Sequence, residues 1–148
     1  MPTITMTVRG GEQLRRNLDR LAGAQRRQAQ QDGLEAGIGV LETHVKLNLS
    51  RHGSGVVYRR RNKVHQASAP GEPPAPDEGH LRDSVQPGKA TPIEATLDVF
   101  AEYGEHLEFG TSRMAPRPFL RPALDEHEGE IVQAVEATVA AFVESVRA

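Results

Sequence analysis

The sequence contains no cysteine and no tryptophan, and aromatic residues make up only 4% of its 148 residues. Without cysteine the chain has no disulfide framework, no thiol nucleophile and no thiolate metal ligand. It also lacks an apolar run near the ~18 residues that a membrane-spanning helix needs, and a charged and then apolar stretch typical of signal peptides. These absences favour the cytoplasm and predict no membrane partner.

Recognisable catalytic motifs are also absent. The sequence has neither the Gly-x-x-x-x-Gly-Lys-Ser/Thr loop that holds nucleotide phosphates nor the Gly-x-Ser-x-Gly turn that presents a nucleophilic serine. Its six histidines show no zinc-ligand spacing, and the adjacent positions of Glu126-His127-Glu128 would not face one another on a helix. We therefore predict no catalytic residues, no cofactor and no metal site. The six histidines are His44, His52, His65, His80, His106 and His127.

The charge that is present is unevenly distributed, although the net charge is only −2. Residues 1–93 hold 14 lysines and arginines against 9 acidic residues, a net charge of +5. Residues 94–148 hold 4 against 11, a net charge of −7. Such asymmetry favours head-to-tail contact between identical subunits, or one face toward nucleic acid and another toward protein. The alternative is that both halves are solvated surfaces.

The N-terminal half predicts one strand and two helices. Threonine and apolar residues alternate through residues 3–8, which predicts a half-buried strand. Leucines then repeat at helical spacing in a short helix, and residues 24–49 carry the apolar stripe of a longer helix. Three glycines inside the longer helix each cost about 0.5–1 kcal/mol relative to alanine. Either another backbone approaches closely there, or the helix breaks near Asp32; we favour one bent helix. The glycines are Gly33, Gly37 and Gly39.

The C-terminal half predicts a second strand and a last helix. Residues 93–99 alternate between apolar and polar side chains, and Tyr103, Leu107 and Phe109 are expected to pack inward. The last helix is expected over residues 122–146, with acidic residues in its first turns that complement the helix dipole. Its expected buried face consists of Leu124, Ile131, Val135, Val139, Phe142 and Val146.

These elements predict an α+β fold in a single domain over residues 1–148. A small antiparallel sheet is packed by a long N-terminal helix and a C-terminal helix, and a long extended arm over residues 50–80 separates them. No acidic residue occurs between Lys46 and Gly71, and a segment of this length is either functional or disordered. Its basic residues could neutralise DNA phosphates in a lumen, or pair with the acidic surface of a neighbouring subunit. They are Arg51, Arg59, Arg60, Arg61 and Lys63.

A second unusual segment runs from Glu108 to Leu124. Its three prolines fix φ and remove backbone donors, so we expect a rigid, extended connector. Guanidinium groups and large apolar side chains on such a backbone suit a docking surface, because little conformational entropy is lost on binding. Two roles stay open for Phe119, as a core residue or as a docking anchor. The predicted partner-binding residues are Phe109, Arg113, Arg117, Phe119 and Arg121.

Two stretches of the chain form one ordered pattern. The first is Ser68-Ala69-Pro70-Gly71-Glu72-Pro73-Pro74-Ala75, followed by Gly79-His80-Leu81-Arg82-Asp83-Ser84-Val85. The second is Glu108-Phe109-Gly110-Thr111, Arg113-Met114 and then Arg117-Pro118-Phe119-Leu120-Arg121-Pro122-Ala123-Leu124. The pattern resembles the tail completion or head–tail joining proteins of tailed bacteriophages, which are also called neck or minor tail components. The chain departs from that family at Glu78, where Thr is usual, and at Val85, where Ile is usual.

The resemblance implies a structural virion protein and not an enzyme. It implies a homo-oligomeric ring, expected to be a hexamer, that joins head connector or closure proteins to the tail tube protein and lets double-stranded DNA pass. It also implies a location at the head–tail neck of the virion, after assembly in the host cytoplasm. The roles of tail terminator, tail completion and head closure stay open. The alternative functions are a small DNA-binding accessory protein that uses the basic arm, and a hydrolase with an unrecognised site.

Overall fold

The computed structural model describes residues 3–7 and 11–148, and these residues form the predicted α+β fold. The predicted strand residue Val8 lies outside the described residues. The strands are β1 (Thr3–Met6), β2 (Val57–Arg60), β3 (Lys63–Gln66), β4 (Val85–Pro87) and β5 (Ala95–Val99). The helices are α1 (Glu12–Asp19), α2 (Gly23–Asn48), α3 (His80–Asp83), α4 (Gly104–Phe109) and α5 (Leu120–Arg147).

A three-stranded antiparallel sheet has the order β1-β5-β4. In its register, Leu97 of the central strand lies opposite Ile4 of β1 and Pro87 of β4. Alternate residues of β5 are buried, namely Ala95, Leu97 and Val99. The alternation in the sequence therefore identified the central strand correctly, because side chains on a strand point to opposite faces in turn.

Helix α2 contacts both α5 and the sheet, and the three together enclose the main core. It is one continuous helix, so the alternative of a break near Asp32 is wrong. A Cβ on Gly33 would lie 3.1 Å from Cγ2 of Val139 and 3.3 Å from the carbonyl oxygen of Val135. Close approach of α5 therefore explains this glycine. No such contact explains Gly39, since no described atom beyond its chain neighbours and the adjoining helix backbone lies within 4 Å of a Cβ built there.

The last helix begins at Leu120, two residues before the predicted start. Its buried stripe continues in steps of four through Val139 to Val143, whereas Val146, predicted to be buried, is 40% exposed. The acidic residues from Asp125 onward consequently lie beyond the first turn. They contribute little through the helix dipole, whose effect falls off within that turn.

Three apolar residues that the patterns place inside are exposed. Tyr103 comes directly before α4 and is 47% exposed, and Phe109, the last residue of α4, is 68% exposed. Ile93 lies just before β5 and is 76% exposed. Leu107 is half-buried against the core, as predicted. Neighbouring positions on a helix point about 100° apart, so the burial of Glu108 turns Phe109 toward solvent.

Candidate functional site

The connector predicted from Glu108 to Leu124 is non-helical only over residues 110–119, because α4 ends at Phe109 and α5 begins at Leu120. Its C-terminal end is held by Glu108, whose role was not apparent from the sequence. This carboxylate is only 6% exposed. Its Oε2 accepts hydrogen bonds from the backbone N–H groups of Phe119 (2.7 Å) and Leu120 (3.0 Å), and its Oε1 from that of Arg121 (2.9 Å). The first N–H groups of a helix have no partner within the helix. Glu108 therefore caps α5 from the end of α4.

Between these ends the connector folds through a tight turn. Gly110 has φ 74°, and a Cβ there would lie 2.8 Å from the carbonyl oxygen of Met114. The N–H of Thr111 donates to the carbonyl of Met114 at 2.9 Å, and the reverse bond is 3.3 Å long. Farther along, the N–H of Arg117 donates to the carbonyl of Leu107 at 2.7 Å. These bonds add to the prolines in restricting the backbone.

Phe119 belongs to the protein's own core. Its side chain is 0% exposed, and its carbonyl accepts a hydrogen bond from Nδ2 of the buried Asn48 at 3.4 Å. The prediction of Phe119 as a partner-binding residue is therefore wrong, because the ring is already enclosed by α2, α5 and the sheet. Of its two open roles, the structure supports that of a core residue.

The other four predicted docking residues reach the surface. Arg113, Arg121 and Phe109 are exposed, and Arg117 is half-buried. The Nε of Arg117 is buried and has no hydrogen-bond acceptor among the described residues. This side chain borders an open cleft of ≈ 380 Å³ between the connector, α3 and the residues after β3. Burying a donor without a partner costs free energy.

The predicted arm contains a hairpin that the sequence patterns do not reveal. Strands β2 and β3 pair in antiparallel fashion, with Arg60 opposite Lys63. In the turn between them Arg61 has a left-handed φ of 52°. Residues 57–66 are exposed, apart from the half-buried His65. The arm is therefore not extended throughout, and its central part is a two-stranded sheet separate from the main one.

The hairpin brings four of the five predicted basic residues together. The fifth, Arg51, is exposed but lies nearer the end of α2. Asp77 and Glu78 border the same open cleft of ≈ 740 Å³ as the four basic residues, and Asp77 Oδ1 lies 3.9 Å from Nδ1 of His65. The basic surface is therefore partly neutralised in space by acidic residues that lie outside the basic segment of the sequence. The four residues are Arg59, Arg60, Arg61 and Lys63.

The base of the hairpin is closed by Glu72. This carboxylate accepts hydrogen bonds from the N–H groups of Ser54 (3.0 Å) and Ala69 (2.8 Å), and from the Ser54 hydroxyl. The hydroxyl bond first, and then the two N–H bonds, lower the pKa of Glu72 below its ordinary value. A Cβ on Gly53 would lie 2.3 Å from the carbonyl oxygen of Ala67, so this position requires glycine.

A histidine–carboxylate cluster between α2 and α5 was also missed. The rings of His44 and His127 stack with centroids 3.4 Å apart and planes inclined by 6°. The Oε2 of Glu130 lies 2.8 Å from Nε2 of His44 and 3.5 Å from Nδ1 of His127. His44 and Glu130 are 86 positions apart, so only the packing of the two helices could reveal the cluster.

Comparison of the chain with protein-family models, with curated proteins and with solved structures found no match in any of the three. The resemblance to head–tail joining proteins, which rests on two sequence motifs, therefore stays a prediction. Among residues 3–7 and 11–148, no helix combines the length and the hydropathy that crossing a membrane requires.

Proposed function

We propose that the protein is a structural subunit of the head–tail neck of a tailed phage or a phage-derived particle. Identical chains form a ring that joins the head connector to the tail tube and leaves a lumen for DNA. The two sequence motifs support this proposal, and so does one structural observation, the nearly complete exposure of the hairpin β2–β3. The proposal assigns no reaction to the protein.

The hairpin has the properties of a contact surface. A two-stranded hairpin is at best marginally stable in water, yet Val57, Tyr58 and Val64 are 55%, 56% and 65% exposed. Both of its strands are edge strands of a two-stranded sheet, and such edges favour pairing or packing with another chain. We therefore place a neighbouring subunit against the hairpin.

Helix α5 of the neighbour offers a complementary surface, because Asp125, Glu126 and Glu128 are all exposed. A strand of four residues spans about 13 Å, close to the ~10–12 Å diameter of a helix. The basic hairpin of one subunit can therefore lie across the acidic helix of the next. Because the two surfaces differ, the contact is head-to-tail, and it closes into a ring when the rotation per subunit permits.

The connector and the helix ends on either side of it supply the second contact of the proposal. Arg113 and Arg121 present exposed guanidinium groups on a backbone that Glu108 and the prolines already hold. Planar guanidinium groups suit bidentate bonds with carboxylates. Phe109 adds an exposed aromatic ring of the type that anchors protein interfaces. Arg117 receives a carboxylate of the adjoining protein in its cleft.

Zero-length cross-linking tests the hairpin contact. A carbodiimide joins an amine to a carboxylate only where the two touch, and Lys63 is the single lysine of the hairpin. A concentrated mixture of ¹⁵N-labelled and unlabelled chains should yield mixed-isotope peptides that link Lys63 to residues 125–130. If cross-links from Lys63 are absent or join only peptides of the same isotope, the proposed contact is wrong.

Charge-reversal variants separate this contact from DNA binding. Changing Arg59–Arg61 to Glu, or changing Asp125, Glu126 and Glu128 to Lys, should each abolish self-association. A mixture of the two variants should associate again, because both contacts between unlike variants then pair opposite charges. A matched control reverses three exposed basic residues elsewhere and should leave self-association unchanged. The control changes are Arg20→Glu, Arg27→Glu and Lys89→Glu.

A second candidate function is that of a small DNA-binding accessory protein, and the clustering of Arg59–Arg61 with Lys63 favours it. Contacts with phosphates give an affinity that falls steeply with salt and does not depend on base sequence. Fluorescence anisotropy with double-stranded DNA at two salt concentrations tests this function. A monomer with strongly salt-dependent affinity that is lost only in the Arg59–Arg61 variant supports the second candidate. Unchanged self-association in both charge variants would remove the first.

A further inference from the structure

The cluster between α2 and α5 carries an inference that does not rest on the proposed function. We infer that His44, His127 and Glu130 form a Zn²⁺ site that joins the two helices. Each residue offers one ligand atom, and the three atoms all lie within 4.8 Å of one another. Two histidine nitrogens and one carboxylate oxygen form a donor set that zinc proteins use, with a fourth position left for water.

The distances in the cluster suit a shared ion. Tetrahedral Zn²⁺ with ligands at ~2.0–2.2 Å places neighbouring ligand atoms about 3.3–3.6 Å apart. Glu130 Oε2 lies 3.5 Å from His127 Nδ1, which is within this range, and 2.8 Å from His44 Nε2, which is shorter, so the Glu130–His44 pair must separate slightly to admit the ion. The two rings are inclined by only 6° in the stack, so binding of one ion by both nitrogens requires the rings to tilt.

The arrangement is more than a surface ion pair. A hydrogen bond between His44 and Glu130 accounts for two of the three residues, but it does not require His127 to stack on His44 with its nitrogen near the same carboxylate oxygen. The side chains of His44 and His127 are 18% and 28% exposed, so both rings are partly shielded from water. Glu130 is 55% exposed, so solvent reaches the cluster from the side of this carboxylate.

An ion bound here would fasten the two longest helices to each other. His44 lies on α2, whereas His127 and Glu130 lie three positions apart on one face of α5. Because an unfolded chain does not hold the three groups together, binding favours the folded state. Zn²⁺ should therefore raise the thermal midpoint in a concentration-dependent manner.

Calorimetric titration of the full chain with Zn²⁺, in a form without a polyhistidine tag, tests the inference. We expect one Zn²⁺ per chain, and with Co²⁺ as a probe the visible absorption of a four-coordinate site. His44→Ala, His127→Ala and Glu130→Gln should each reduce the affinity by roughly tenfold or more, the size of loss that even a residue supporting a ligand produces. Glu130→Gln changes a half-exposed side chain, so it tests the site without risk to the fold.

Two further histidine variants serve as matched controls. His80 lies 2.9 Å from Glu78 and forms another histidine–carboxylate pair with it, and His106 is exposed on α4. His80→Ala and His106→Ala should keep both the affinity and the Zn²⁺-dependent rise in the melting temperature. The inference is overturned if the parent chain shows no saturable binding. It is equally overturned if Glu130→Gln and His127→Ala bind Zn²⁺ as the parent does.

Discussion

Removal of the Glu108 carboxylate should destabilise the fold far more than removal of any other glutamate on α4. Its oxygens accept three backbone N–H groups at 2.7, 3.0 and 2.9 Å, and two of these belong to the buried residues Phe119 and Leu120. In Glu108→Ala those two donors lose their acceptor inside the protein, at about 1–3 kcal/mol each. The third donor, on Arg121, is near solvent and can bond to water. We therefore expect a loss of about 2–6 kcal/mol in the free energy of unfolding.

Urea unfolding of three variants measures this effect. Glu108→Gln retains the size of the side chain and one acceptor oxygen, so it should lose less, about 1–2 kcal/mol. Glu105→Ala removes an exposed carboxylate from the same helix and should stay within ~0.5 kcal/mol of the parent. Since 1 kcal/mol shifts the melting temperature of a domain of this size by ≈ 2–4 °C, Glu108→Ala should melt several degrees lower.

The capping argument fails under either of two results. In the first, Glu108→Ala unfolds within ~0.5 kcal/mol of the parent at an unchanged urea dependence. In the second, Glu105→Ala loses as much as Glu108→Ala, which would mean that charge on α4 matters and the three hydrogen bonds do not.

Three further predictions concern the core and the base of the hairpin. Phe119→Ala should lose roughly 3–5 kcal/mol of stability in urea, whereas Phe109→Ala should melt like the parent and weaken only self-association. Equal melting temperatures of these two variants would contradict the burial of the Phe119 ring. Gly53→Ala should remove amide protection of the hairpin in hydrogen exchange while the core stays protected, and Gly39→Ala, with open space around it, should leave the hairpin protected. The carboxylate of Glu72 stabilises the base of the hairpin when it is charged. Because the pKa of Glu72 is lowered, this contribution is lost as the pH falls through a value below 4.5. An NMR titration of the backbone amides at the hairpin base with a midpoint at or above 4.5 would refute this.

The long helices and the central strand could be predicted from the sequence because they bury one regular face. Apolar residues at helical spacing mark α2, and alternation marks β5, whose residues Ala95, Leu97 and Val99 are buried. The prediction of buried residues failed at the ends of these elements, where burial depends on which other elements pack against the residue. The ends of α5 and the exposure of Ile93 are examples, since neither follows from the spacing of residues along one segment.

The hairpin could not be predicted because neither of its faces is buried. Its register is therefore not written into an apolar pattern, and its turn residues Arg61 and Asn62 lack the Asn-Gly or Asp-Gly pair that is the strongest hairpin marker. The basic charge of this segment was evident from the sequence. The opposing Asp77 and Glu78 were visible too, but their position beside the basic residues depends on the fold.

The candidate sites were predictable only where one segment supplies the residues. The exposed arginines of the connector could be identified from the prolines around them. The cap from Glu108 requires α4 and the start of α5 to meet across 11 to 13 positions. The cluster of His44, His127 and Glu130 requires two helices from opposite halves of the chain to pack together, which no spacing in the sequence encodes.

The mass of the assembled protein tests the central claim of a ring most directly. Native mass spectrometry of the concentrated chain, and of the same sample after carbodiimide cross-linking, should show one discrete closed species. A hexamer of the 16.2 kDa chain has a mass of about 97 kDa. Two results would contradict the ring: a species that stays at 16.2 kDa at every concentration, or an open-ended series of masses with no preferred size.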